Sequence, residues 1–145
     1  MWLLKTTSYK LHYFQGIVPV YAILSHTWDD DEVLFQDILD LESHGTGLVR
    51  QRALQRKQWP KIEQACKLAA RSNYGWIWID TCCIDKSSSA DLSEAINSMF
   101  RWYREAEICY VHLADLKSDL PLHDNLGASK LAAFQNCRWW TRGCR

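Results

Sequence analysis

The segment Trp76-Ile77-Trp78-Ile79-Asp80-Thr81-Cys82-Cys83-Ile84-Asp85-Lys86, followed by Leu92-Ser93-Glu94-Ala95-Ile96-Asn97-Ser98-Met99-Phe100 and then Cys109-Tyr110-Val111-His112-Leu113-Ala114-Asp115, decides the fold. Residues 76–79 are apolar at every position and rich in aromatic and β-branched side chains, which suits a strand buried on both faces of a parallel sheet. From Leu92 the period changes. Leu92, Ala95, Ile96, Met99, Phe100 and Tyr103 fall on one helical face. Ser88 with Asp91 gives a capping-box-like start among serines that favour helix caps over helix interiors. Residues 108–113 return to a strand-like run. Strand, helix and strand make a βαβ unit, whose crossover is right-handed almost without exception.

Upstream, Val20-Tyr21-Ala22-Ile23-Leu24-Ser25 is a second continuous apolar run and reads as a strand, ending in the polar turn His26-Thr27-Trp28-Asp29-Asp30-Asp31. Trp59-Pro60 opens a helix, because proline suits a first helical position, and Gly75 stops it. Val33 to Leu41 suggests a short helix, or an extended piece turning into one, broken by Gly45 and Gly47, and the basic run Arg50 to Lys57 reads as a solvated helix face or loop. Residues 1–19 read as an N-terminal extension packed on the domain, and 20–143 as its core. Residues 128–135 read as a helical turn after a polar loop. The expected architecture is an α/β fold with a small parallel sheet flanked by helices. Its three strands place 76–79 between the other two, in a single domain spanning 1–145.

Composition narrows the class. With 145 residues the chain can bury one core, and 48% hydrophobic with 12% aromatic residues argues for a globular rather than a disordered chain. Seventeen basic and seventeen acidic residues balance, so nothing points to a polyanionic partner such as nucleic acid. No apolar run approaches the roughly 20 residues that span a bilayer. The opening Met1-Trp2-Leu3-Leu4-Lys5 is too short for a signal-peptide core, so a cytoplasmic location is expected. The six cysteines are then expected as reduced thiols. No C-x-x-C pair argues for zinc, and no glycine-rich phosphate loop follows a strand.

The chemistry-bearing residues collect at strand ends. Ligands of open parallel sheets bind beyond the carboxyl ends of the strands. That rim receives Ser25, His26, Asp29 and Asp30 from one strand, and Asp80, Thr81, Cys82, Cys83, Asp85 and Lys86 from the next. Asp115 comes from the third. Asp80 and Asp85 are expected to share a crevice with Ser25 and His26. Each has a plainer reading. Asp80 caps its loop, Cys83 is a small core hydrophobe, and Asp85-Lys86 is a surface pair. Glu94 complements a helix dipole, and Trp28 and Trp139 are core or lid aromatics. A Cys–His nucleophile is also open, although spacing in sequence proves no contact.

Three segments read together add a resemblance. They are Tyr21-Ala22-Ile23-Leu24-Ser25-His26-Thr27-Trp28; Trp78 to Lys86 with Leu92 to Met99; and Cys137-Arg138-Trp139-Trp140-Thr141-Arg142-Gly143. Together they resemble the heterokaryon incompatibility (HET) domain of filamentous fungi. The resemblance implies a role in non-self recognition and programmed cell death, with homotypic contacts between HET domains and neither nucleic acid nor membrane as partner. HET domains are distantly similar to Toll/interleukin-1-receptor-type (TIR) domains, which are flavodoxin-like modules that assemble, and some of which cleave NAD. The resemblance therefore implies a flavodoxin-like fold and a pocket of Ser25, His26, Trp28, Asp80, Cys83, Asp85, Lys86, Glu94, Trp139 and Arg142, with no resident cofactor and NAD as a candidate substrate.

In the family a tryptophan and a Leu-Gln-Glu-Leu-like helix start follow Trp-Thr-Arg-Gly, whereas here Cys144 and Arg145 follow Gly143. The resemblance thus implies a domain incomplete at its C-terminus, lacking the glutamate that would align with the catalytic one of NAD-cleaving relatives, and with Trp139-Trp140 loosely held. Three readings compete: a signalling and assembly module, an NAD-cleaving glycohydrolase, and an inert remnant.

Overall fold

The computed structural model describes residues 1–43, 54–116 and 128–141. Five strands form one sheet: β1 (Trp2–Lys5), β2 (Leu11–Tyr13), β3 (Ala22–His26), β4 (Trp76–Ile79) and β5 (Ile108–His112). The helices are α1 (Phe35–Ser43), α2 (Trp59–Arg71), α3 (Ser89–Glu105) and α4 (Ala128–Gln135), with a 3₁₀ turn at Arg138–Thr141. The strand order is β2-β1-β4-β3-β5. β3 pairs in parallel with both β4 and β5, while β1 pairs antiparallel with β2 and β4.

Two expectations are corrected here. The sheet is mixed rather than parallel throughout, because residues 1–19 supply two strands instead of a packed extension. Leu3 and Leu4 are wholly buried, so the first strand belongs to the core. The central strand of the parallel part is β3, not 76–79. β3 is buried along its full length, whereas β4 begins half-exposed at Trp76. The apolar run identified both strands as interior ones. It carried no information about which of them the third would join.

The crossovers explain the layers. From β3 the chain moves one way across the sheet to β4, and from β4 it moves back past β3 to β5. Right-handed crossovers in opposite directions put their helices on opposite faces. α3 therefore covers the face to which Trp78 points, where the Trp78 and Trp102 rings lie 5.5 Å apart. α2 buries Ile62, Ala65, Cys66 and Ala69. The parallel order β4-β3-β5 matches the first three strands of a flavodoxin-type sheet.

α3 starts as expected: the Ser88 hydroxyl accepts the Asp91 N–H at 3.3 Å. Its buried face is displaced from the expected one. Ala95 and Trp102 are buried and Leu92, Met99 and Tyr103 partly so, but Ile96 and Phe100 stand in solvent, 65% and 79% exposed. The tryptophan at 102 takes the sheet contact, which rotates the helix away from the two outer apolar positions. Gly45, Gly47, residues 50–53 and the polar loop expected over residues 117–127 lie outside the described residues.

Candidate functional site

Because the connections leaving β3 and β4 depart to opposite faces, a crevice opens beyond the carboxyl ends of these two strands. His26 ends β3 and Asp80 follows β4, and they meet across it. The His26 Nε2–H donates to Asp80 Oδ1 at 2.8 Å, with His26 wholly buried and Asp80 4% exposed. The Trp28 Nε1–H donates to the other carboxylate oxygen at 2.9 Å. Lys86 Nζ stands 3.6 Å from the centre of the Trp28 ring, a cation–π contact. Burial draws the Lys86 ammonium below its ordinary pKa, against the pull of Asp80. Of the four residues expected to share a crevice, His26 and Asp80 meet, and both oxygens of the Asp80 carboxylate are engaged by neighbouring side chains.

A second buried pair flanks it. Lys61 Nζ donates to Glu32 Oε1 at 2.6 Å, and the Asp29 N–H donates to the same oxygen at 2.8 Å. Glu32 Oε2 is buried and has no hydrogen-bond partner among the described residues. His112 ends β5 in register with His26. Burial, followed by the charges of Lys61 and His26, holds the His112 pKa below its ordinary value.

The outer layer is a strap from the C-terminal segment. The Arg138 N–H donates to Asp115 Oδ2 at 2.7 Å and its Nη2–H to Asp29 Oδ1 at 2.8 Å. The Asp29 carboxylate, then that of Asp115, hydrogen-bonded to the guanidinium, raise the Arg138 pKa, and the Arg138 backbone N–H lowers that of Asp115. The Trp139 Nε1–H donates to Ser25 Oγ at 3.0 Å, and Cys137 is buried. Trp139 is thus tied to the end of β3, while Trp140 stays 52% exposed with its Nε1–H on the Phe134 carbonyl. Two carboxylates and one hydroxyl from strand ends pin the segment.

Of the predicted pocket residues, His26, Trp28, Asp80 and Lys86 come together, while Ser25 and Trp139 meet each other. Asp85 does not join them, since its Oδ1 accepts from the Ser87 N–H and hydroxyl within its own loop. Cys83 is a core residue, its thiol 3.8 Å from the Ile77 carbonyl. Glu94 is exposed and lines a small cleft with Met1 and Trp2, near the N-terminal amine rather than the crevice. Arg142 lies outside the described residues. Glu32, Lys61, His112 and Arg138 join the site beyond the residues expected from the sequence. Glu32 sits in an acidic turn, and Lys61 on a helix whose apolar spacing marks only its core face.

The arrangement limits the chemistry. Successive strand residues point to opposite faces, so Ser25 and His26 diverge and form no Ser–His nucleophile pair. A hydrogen bond to Cys83 and full burial push the Cys82 thiol up, and burial does the same for Cys66. Protonated, buried thiols are poor nucleophiles. Among the described residues no group of three His, Cys, Asp or Glu side chains is placed to hold a metal ion.

Comparison with known proteins gives two matches. A family model described as heterokaryon incompatibility protein (HET) matches residues 21–143. The vegetative incompatibility protein HET-E-1 of Podospora anserina is 46% identical over 130 residues, which is 88% of this chain and 9% of that protein. The chain thus spans about a tenth of the length of that relative. No solved structure matches.

Proposed function

The chain belongs to the heterokaryon incompatibility (HET) family, and from that premise we propose that it acts in fungal non-self recognition as a signalling module whose homotypic assembly triggers programmed cell death. The observation that carries the assembly reading is the filled crevice. His26 has no solvent exposure and both oxygens of Asp80 are engaged, so the groups best suited to catalysis are committed to holding strand ends together. A module of this kind presents a surface rather than turning over a substrate. We place it in the cytoplasm. The described cysteines are free thiols, which suits a reducing compartment, and among the described residues no helix is long and apolar enough to cross a membrane.

The test is inducible expression of the chain in a filamentous ascomycete, fused to a domain that dimerises on addition of a small molecule. Hyphal death scored by a vital dye should follow addition of the dimeriser, and not addition to cells expressing the dimerising domain alone. Viable hyphae containing abundant, folded, dimerised protein would contradict the proposal. Nicotinamide release from NAD by the purified chain, lost in Asp80→Ala, would instead favour the glycohydrolase reading.

A further inference from the structure

We infer that the flank of β3 facing β5 binds a small neutral molecule carrying adjacent hydroxyl groups, through Glu32, Lys61 and His112 at the strand ends. The inference goes beyond the assembly reading and does not depend on it: the ligand is bound as an effector and not turned over.

Sheet topology locates the site. The chain reaches β4 on one side of β3 and β5 on the other, so the direction of winding reverses at β3. In a flavodoxin-type order, ligands bind beyond the carboxyl ends of the first and third strands, where that reversal occurs. Those strands are here β3 and β5. The His26–Asp80 pair spans the opposite flank, between β3 and β4. On the β5 flank, register sets His112 beside His26. Alternate strand residues share a face, so both histidines point away from the side of Ser25 and Trp78, which α3 covers. Lys61 reaches them from the first turn of α2, the helix of the other face.

The hydrogen-bonding capacity left over there sets the chemistry of the ligand. Glu32 uses Oε1 for Lys61 Nζ and for the Asp29 N–H, at 2.6 and 2.8 Å. Its Oε2 is buried with no partner among the described residues, and the residue as a whole is 8% exposed. Lys61, 5% exposed, gives one of its N–H groups to Glu32 and has no second partner among the described residues. The hydroxyl of Thr27, next to His26, is buried and equally unpartnered. A buried carboxylate oxygen without a donor costs stability. Oε1 alone accounts for the structural role of Glu32, and Oε2 calls for a donor from outside the chain.

Charge selects among donors. Lys61 with Glu32 and Arg138 with Asp29 cancel in pairs. An added anion would face Glu32 and Asp29, and an added cation Lys61 and Arg138, so a neutral group fits. That group must donate to Glu32 Oε2 and accept from Lys61 Nζ. A hydroxyl does both, and a second hydroxyl on the next carbon repeats the pattern at a neighbouring atom. His112 offers that second hydroxyl one donor and one acceptor, since burial and the charges of Lys61 and His26 favour its neutral form. It is half-exposed, which gives the ligand its approach from solvent.

The experiment is titration of the 145-residue chain with two probes, following the Asp29 backbone amide by NMR. That N–H touches Glu32 Oε1 and so reports on the carboxylate. The probes are myo-inositol, a free polyol, and methyl mannoside, which stands for a sugar joined to a glycan. The amide signal should shift saturably. A response to inositol alone identifies a free polyol, and a response to the mannoside identifies a sugar unit. Ethylene glycol dimethyl ether, whose capped oxygens accept but cannot donate to Glu32, should give no saturable shift. Glu32→Gln should weaken binding by at least about tenfold, because a hydrogen bond to a charged group is lost. If that variant does not fold, His112→Phe, a change at a half-exposed strand end, should weaken binding while Glu32 and Lys61 stay in place. No saturable shift with either probe, an equal response to the capped ether, or binding unaltered in His112→Phe would overturn the inference and leave only water on Glu32 Oε2. Death on forced dimerisation reads assembly and is untouched by either result.

Discussion

The crevice at the strand ends has an inner and an outer layer of charge, built from the same residue types under opposite conditions. In the inner layer Lys61 and Glu32 are 5% and 8% exposed, with His26 and Asp80 beside them. In the outer layer the Arg138 side chain is 57% exposed and bridges Asp29 and Asp115. Coulomb attraction in water is weak and screened, so the outer contacts fix where a segment lies without adding much stability. In the interior each charge has given up its hydration, and removing one partner strands the other. The inner layer therefore holds the fold's strand ends, and the outer layer positions the C-terminal segment.

The sharpest way to break this contrast is Lys61→Met. It leaves Glu32 buried with no cation, and should destabilise by about 3–5 kcal/mol in chemical denaturation. Adding Glu32→Leu should recover most of the loss, because a matched apolar pair abolishes the stranded charge. A single variant as stable as the wild type would show that water reaches Glu32 and that the two layers do not differ.

Arg138→Ala is the matching change outside. It should leave the unfolding midpoint nearly unmoved, while protease cleavage around residues 138–141 accelerates because the strap is released. A large loss of global stability would place Arg138 in the inner layer.

The smallest expected effect is in the pH dependence. His112 titrates lower when folded than its ordinary value of 6.5, so the unfolded chain binds the proton more readily. Its contribution to stability is present above pH 6.5 and is lost as pH falls through the lowered folded value. His112→Gln should flatten the stability profile in that window. A profile rising towards acid in the wild type would reverse the sign and exclude a half-buried, neutral imidazole.

These contrasts also show what a reader of the sequence could see. Strand β4 and the cap at Ser88 were legible because local rules fix them: a four-residue apolar run, and a serine before a helical period. The His26–Asp80 meeting followed from a general rule about strand ends, without any knowledge of strand order. The order itself was not legible, since residues 20–24 and 76–79 are both continuous apolar runs and pairing is a non-local choice. β1 and β2 were not legible because Trp-Leu-Leu-Lys and Leu-His-Tyr mix polar and apolar residues and are too short to display a period. Ile96 and Phe100 fit the helical face, and only the bulk of Trp102 against Trp78 rotated them outward. Glu32–Lys61 joins residues 29 positions apart, with no spacing rule to announce it.

Closure of the crevice by its own side chains is reported directly by the indole proton of Trp28. Trp28 is 52% exposed, yet its indole N–H is bound to Asp80, whose other oxygen holds the buried His26. Hydrogen exchange followed by NMR should find this indole N–H protected well beyond that of a free tryptophan. In Asp80→Ala the protection should vanish, with about 2–3 kcal/mol of stability lost along with two hydrogen bonds to a carboxylate. Exchange at the free-tryptophan rate in the wild-type chain would mean that the crevice stands open, and would contradict the account.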